Sequence, residues 1–301
     1  MLKKMKGSIM LLAAAVIWGS AFVAQSEGAE HIGTFTYNSA RSFAGGLFLL
    51  ILILIISFVK GKNSKSEVKD IRNSLKGGIV CGVFLFAGSA FQQAGIAQTS
   101  AGKAGFITAL YIILVPAAGI FFGRKVSVRI WICAAAALAG FYLLCIKKDM
   151  SIGKGDLLVF VCALFFTGHI IAVDHFAAGN TDGILMSCVQ FFTAGIISVP
   201  FMFIMESPDV SSICAAAVPI LYAGILSSGV AYTLQIAGQK HTPPAAATLI
   251  MSLESVFAAL SGWLILNEKM TVKELSGCIV VFTAVIISQL PEKENINNCD
   301  K

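Results

Sequence analysis

Two charges interrupt long apolar stretches of this 301-residue chain: Glu254 within 244–267, and Arg41 within 32–59. A charge at the centre of a bilayer costs about 2.5 to 3.5 kcal/mol even on the lenient insertion scale, so each needs a partner or a purpose. Leaving water penalises the charged form of a carboxyl, and Glu254 could therefore bind and release a proton and couple the movement of a substrate to a proton gradient. The alternative is a structural Glu, hydrogen-bonded to a neighbouring helix and never titrating. For Arg41 three uses stand open: a pair with Glu254, a forked donor for an anionic group such as a carboxylate, or a side chain that snorkels to the outer headgroups.

His169, Asp174 and His175 follow one another closely and invite a metal or proton-relay reading. At about 100° per residue, Asp174 lies about 140° and His175 about 240° around a helix from His169, so the three do not share a face. His169 alone is a candidate for a binding cavity, with packing and one hydrogen bond as the alternative. Gln92, Gln93, Gln190 and Gln235 add uncharged polar groups, and Trp18 and Tyr111 add aromatic walls. Trp18 stands eleven residues beyond Gly7. That is about 16 Å by helical rise, nearer the midplane than the interfacial belt, where it could stack on a substrate or simply pack. The eight cysteines form no CxxC pair, so neither a disulfide framework nor a metal site is expected. No GxxxxGK[ST] loop is present to cradle ATP, and no cofactor is expected.

Such residues must be held by membrane helices, because 57% of the chain is hydrophobic and 13% charged, with a mean hydropathy of +0.84. The chain has no room for a separate soluble domain, so its net charge of +6 reports membrane topology and not nucleic-acid binding. Ten spans are predicted, at about 7–26, 32–59, 77–99, 104–123, 130–146, 157–173, 183–205, 212–236, 244–267 and 275–291. The run from Val210 to Gln239 exceeds one straight crossing, so part of it must be loop or interfacial turn. A miscounted second half would leave nine spans. The basic start is not a cleaved signal peptide: its apolar run is too long and Ala13-Ala14-Ala15 falls mid-run. Gly78-x-x-x-Gly82 and Gly224-x-x-x-Ser228 would allow close helix contact, while Pro116 and Pro200 would bend spans four and seven, as hinges or static kinks. With the N-terminus cytoplasmic, fifteen Lys and Arg fall inside and six outside, so both ends are predicted to be cytoplasmic in the cell (plasma or inner) membrane.

The spans repeat. Residues 102–127 align with 246–271 at an offset of 144, and weaker matches set Tyr37 through Gly46 against Met186 through Gly195, and Gly88 through Phe91 against Gly229 through Tyr232. Five spans per copy, an odd number, would turn the second copy upside down relative to the first, as in many transporters. The first repeat is placed at 1–148 with helices one to five, the second at 149–291 with helices six to ten, and a cytoplasmic tail at 292–301. In this register Leu110 faces Glu254 and Gln190 faces Arg41, so each charge occurs in one copy only.

The pattern Ile17-Trp18-Gly19-Ser20-Ala21-Phe22, Arg41, Thr99 through Phe106, Leu253 through Leu260, Gly262-Trp263 and Asn267-Glu268-Lys269 resembles the EamA-type branch of the drug/metabolite transporter superfamily. The resemblance covers nearly the whole chain. It implies ten helices in two EamA repeats, cytoplasmic ends and a central cavity built mainly by spans one, three, four, six, eight and nine. The chain departs from the family in having Glu254-Ser255 where Glu-Pro is frequent, which leaves a kink there open, and Arg124 where the first copy often has Glu.

The expectation is an all-α integral membrane protein of ten transmembrane helices in two inverted five-helix repeats. It would move a small organic metabolite or drug-like compound outward by alternating access, with proton coupling through Glu254. Trp18, Gln92, Gln93, Tyr111, His169, Gln235 and Glu254 are the cavity candidates, and Glu254 and Arg41 the coupling or charged residues. Its partners would be the lipid bilayer, a small-molecule substrate and protons, with the oligomeric state open. A polytopic enzyme using His169, Asp174 and Glu254 on a lipidic substrate, or a non-transporting sensor, is the alternative.

Overall fold

The computed structural model describes residues 2–60, 70–99, 101–145, 152–265 and 270–290. The expected 148/149 repeat boundary, the Asn267-Glu268-Lys269 motif and the 292–301 tail lie outside them. Helices α1 (Leu2–His31), α2 (Thr34–Lys60) and α3 (Ile71–Ile96) each cross once, and α4 (Ala101–Thr108) with α5 (Tyr111–Phe121) make the fourth crossing. Helix α6 (Val128–Cys145) closes the first half. The second half runs through α7 (Lys154–Ala177), α8 (Gly183–Met205), the short α9 (Val210–Ala215) and an eighth crossing of α10 (Ala217–Leu221), a π-helical stretch (Tyr222–Ala231) and α11 (Tyr232–Gln239). It ends with α12 (Pro244–Met251) and α13 (Glu254–Ile265) as the ninth crossing, and α14 (Val272–Gln289). Nine of these crossings are long and apolar enough to span a bilayer among the described residues, and Val128–Leu144 is a shorter apolar helix that makes the tenth.

Helices form because hydrocarbon offers backbone groups no other partner. The excess length between Val210 and Gln239 is taken up by α9, outside the eighth crossing, and by the wide π-helical turns within it. Spans four and nine are each broken near the middle. Leu110 N–H donates to Ile107 O at 3.1 Å and Leu253 N–H to Ile250 O at 3.2 Å, the i to i−3 spacing of a tightened 3₁₀ turn. The expected proline bends do not mark these breaks: α5 continues through Pro116 and α8 through Pro200. Span nine breaks without the proline that the family often carries there.

The two halves pack by one rule. In the first half α3 lies on α7 and α8; in the second the eighth crossing lies on α1 and α2. Helix α2 packs on α8 and α6 on α14, each against its own counterpart, so interchanging the halves maps the contacts onto themselves.

Small residues set these contacts. A Cβ on Gly78 would lie 2.6 Å from Val189 Cβ, and one on Gly82 2.7 Å from the Gln190 carbonyl oxygen, so α3 seats α8 backbone to backbone. On the eighth crossing a Cβ at Gly224 would lie 2.6 Å from Ala44 Cβ and 2.9 Å from the Arg41 carbonyl oxygen, which seats α2 in the same way. This second contact delivers Arg41 to the centre of the protein.

Candidate functional site

Arg41 is 7% exposed, so it does not reach the headgroups. Its Nε donates to Asn38 Oδ1 at 2.9 Å, and Asn38 Nδ2 in turn donates to the Ser89 carbonyl of α3 at 3.1 Å. The guanidinium carbon lies 5.6 Å from the centroid of the Tyr37 ring. Among the described residues no carboxylate pairs with Arg41, and its two terminal nitrogens have no protein acceptor. The Arg41–Glu254 pair that the sequence left open is therefore not formed.

Glu254 opens α13, directly after the break in span nine, and it is buried. Tyr111, which opens α5 directly after the break in span four, donates its hydroxyl to Glu254 Oε1 at 3.1 Å. The two breaks stand 143 residues apart, not the 144 of the sequence register. Tyr111, and not Leu110, is thus the structural counterpart of Glu254, and the two counterparts bond each other where the halves meet. Gly19 allows this neighbourhood to close, since a Cβ there would lie 2.7 Å from the Glu254 carbonyl oxygen and push α1 from α13. Trp18 thereby comes to line the same cavity as the Glu254 side chain.

Aromatic rings gather around Tyr232. Tyr232, at the junction of the π-helical stretch and α11, meets Trp18 edge-on at 4.9 Å between centroids, His169 at 5.7 Å and Phe191 at 5.3 Å. Such edge-to-face contacts lock ring orientation. His169 Nε2 lies 3.1 Å from Gln190 Oε1, which calls for the proton on that nitrogen. Gln190, the sequence counterpart of Arg41, is fully buried and holds the His169 ring without lining the cavity itself.

These groups enclose one cavity, to which Trp18, Gln92, Tyr111, His169, Gln235, Glu254 and Arg41 all contribute. Gln93 does not line it: its amide donates to the Gln25 carbonyl at 3.1 Å, bracing α3 against α1. Asp174 lies at the end of α7 in an ion pair with Arg124 at 2.6 Å, and His175 is exposed there. Neither lines the cavity with His169. Among the described residues no three His, Cys, Asp or Glu side chains gather as a metal site.

Sequence reasoning passed over Gln25, Ser227 and Tyr232, which also line the cavity. Tyr232 had a signal, as the repeat counterpart of Phe91. Gln25 is a polar residue late in an apolar span, a weaker one. Of the residues that line the cavity, Trp18, Gln25 and Gln235 each carry a buried polar atom, Nε1, Oε1 and Oε1, with no hydrogen-bond partner among the described residues.

A profile of the EamA-like transporter family matches the chain twice, over residues 5–146 and 153–289. An uncharacterized transporter of Archaeoglobus fulgidus is 30% identical over 295 residues, 96% of this chain and 87% of the relative. The uncharacterized transporter YoaV of Bacillus subtilis is 23% identical over 296 residues, 96% of this chain and 97% of the relative. One crystal structure has the same fold, with a TM-score of 0.76 at 15% identity over 94% of this chain and 96% of that one.

Proposed function

The chain belongs to the EamA-like transporter family of multi-pass membrane proteins, and from that premise we propose that it exports a small organic compound through the central cavity by alternating access, without acting as an enzyme. The observation that carries this reading is the cavity's position between two matched bridges. Gln93 of α3 donates to the Gln25 carbonyl of α1 toward one membrane face, and Gln239 of α11 donates to the Ile170 carbonyl of α7 at 3.0 Å toward the other. Each joins the third crossing of a half to its first. Both bridges are closed at once, and opening one while keeping the other would expose the cavity to a single face. The two units, 1–148 and 149–291, would then move against each other as the inverted halves.

Glu254 is the group we assign to energy coupling. It is the carboxyl of the cavity and sits at the broken ninth crossing, where a change of helix geometry and a change of charge could act together. A proton taken up there would exchange for substrate, so a proton gradient would drive export. The excess of Lys and Arg in one set of loops supports a cell-membrane orientation with both ends cytoplasmic.

The test is transport in proteoliposomes, screening amino acids, nucleobases and drugs under an imposed pH gradient. Glu254→Gln keeps an oxygen for the Tyr111 hydroxyl but cannot take up a proton. It should lose gradient-driven accumulation and retain counterflow. Normal uphill transport by this variant would end the proton role, and chemical conversion of a compound in detergent, with no compartments, would end the carrier reading.

A further inference from the structure

Arg41 poses a question that the transport reading leaves unanswered: what neutralises it. A buried guanidinium without a counter-ion is costly, and proteins keep one in a membrane only with a partner. Of its five N–H groups, Asn38 takes the one on Nε. The rest, on the terminal nitrogens, belong to a side chain that lines the cavity and have no acceptor among the described residues. Asn38 is itself tied to α3 through Ser89, so the fork is held in place before anything binds. Trp18 lines the same cavity, and its buried Nε1 has no acceptor among the described residues.

We propose that the compound carried bears a carboxylate and that Arg41 is the residue that recognises it; the inference rests on the transport reading of the same cavity. A planar carboxylate accepts two parallel N–H bonds from a guanidinium edge, the geometry that Arg41 leaves free. Charge decides between a carboxylate and a phosphate dianion. One fixed cation can offset at most a single negative charge, and the carboxyl of Glu254 in the same cavity makes the second charge of a phosphate dianion costlier still. The body of the substrate then lies along Trp18 and Tyr232, whose ring faces suit an apolar or aromatic group.

The experiment uses the full chain in detergent with Trp131 and Trp263 changed to Phe, so that Trp18 alone reports. Three nitroaromatic quenchers are titrated: 4-nitrobenzoate, its neutral amide 4-nitrobenzamide, and 4-nitrophenyl phosphate. The carboxylate should quench saturably at a concentration at least about tenfold below the other two. In Arg41→Gln the benzoate and amide curves should converge, and Arg41→Lys should keep a reduced preference. Saturable quenching by the amide at or below the benzoate concentration overturns the carboxylate assignment while leaving the cavity as a site. An unchanged benzoate preference in Arg41→Gln overturns the role of Arg41, and no saturable quenching by any probe overturns both this inference and the cavity reading. If Arg41→Gln does not fold, the comparison of acid with amide in the parent chain still decides.

Discussion

Gly224→Ala adds a single carbon where α2 meets the eighth crossing, and the structure sets the size of the effect. The new Cβ would stand 2.6 Å from Ala44 Cβ and 2.9 Å from the Arg41 carbonyl oxygen. Carbon atoms pack at about 3.5 to 4.0 Å, so the two segments must part by roughly 1 Å along a contact that is backbone on one side. Overpacking of this kind costs about 1 to 3 kcal/mol, a shift of about 5- to 150-fold in the folded-to-unfolded ratio. Reversible unfolding with SDS in mixed micelles, followed by tryptophan fluorescence, measures it. Ala44→Gly removes the nearer of the two clashes and leaves the other. Gly224→Ala should therefore cost less in the Ala44→Gly background than in the parent chain, though still something. Because Arg41 rides on the displaced backbone, binding of 4-nitrobenzoate should weaken with the stability. A Gly224→Ala protein as stable as the parent in both backgrounds would refute the close approach, and with it the account of how Arg41 is positioned.

Two further outcomes follow from the same reading. Gln190→Leu should cost about 1 to 3 kcal/mol in the SDS titration, because it strands the buried His169 N–H, and adding His169→Phe should recover much of that; a double variant no more stable than Gln190→Leu alone would be against it. Asp209 caps α9 by accepting from the Ser212 backbone N–H at 3.0 Å and its hydroxyl at 3.1 Å, and these bonds hold its carboxyl below the usual Asp range. The cap's contribution is present above the ordinary carboxylate range and is lost only as pH falls through the lowered folded value. Carboxyl NMR of Asp209 should show that low titration, and an ordinary Asp value would refute it.

The candidate site divides by how local each determinant is. Glu254 and Arg41 were conspicuous because a charge in an apolar run needs no neighbour to be noticed. What each does depends on which helix lies opposite. Pairing, anion recognition and snorkelling were all open for Arg41 until α3, through Ser89 and Asn38, gave its Nε a partner and left the terminal nitrogens without a protein acceptor among the described residues. Gln93 looked equivalent to Gln92 in sequence. One residue is 100° of helix, and that rotation sends Gln92 to the cavity and Gln93 to α1.

The crossings, their repetition and the family pattern are properties of the sequence itself. In hydrocarbon every segment must satisfy its own backbone, so the length of an apolar run is nearly the length of a helix. The small residues at Gly78, Gly82, Gly224 and Ser228 were likewise visible as sites of close contact. Which helices they would seat was decided only by the tertiary structure, as was the register between the halves. The breaks in spans four and nine fall 143 residues apart because a 3₁₀ turn is placed by what packs against it, not by the proline at 116. That one-residue difference brings Tyr111 to Glu254. Lateral packing in a bilayer rests on shape and a few hydrogen bonds, with no hydrophobic gradient to write it into the pattern of the chain.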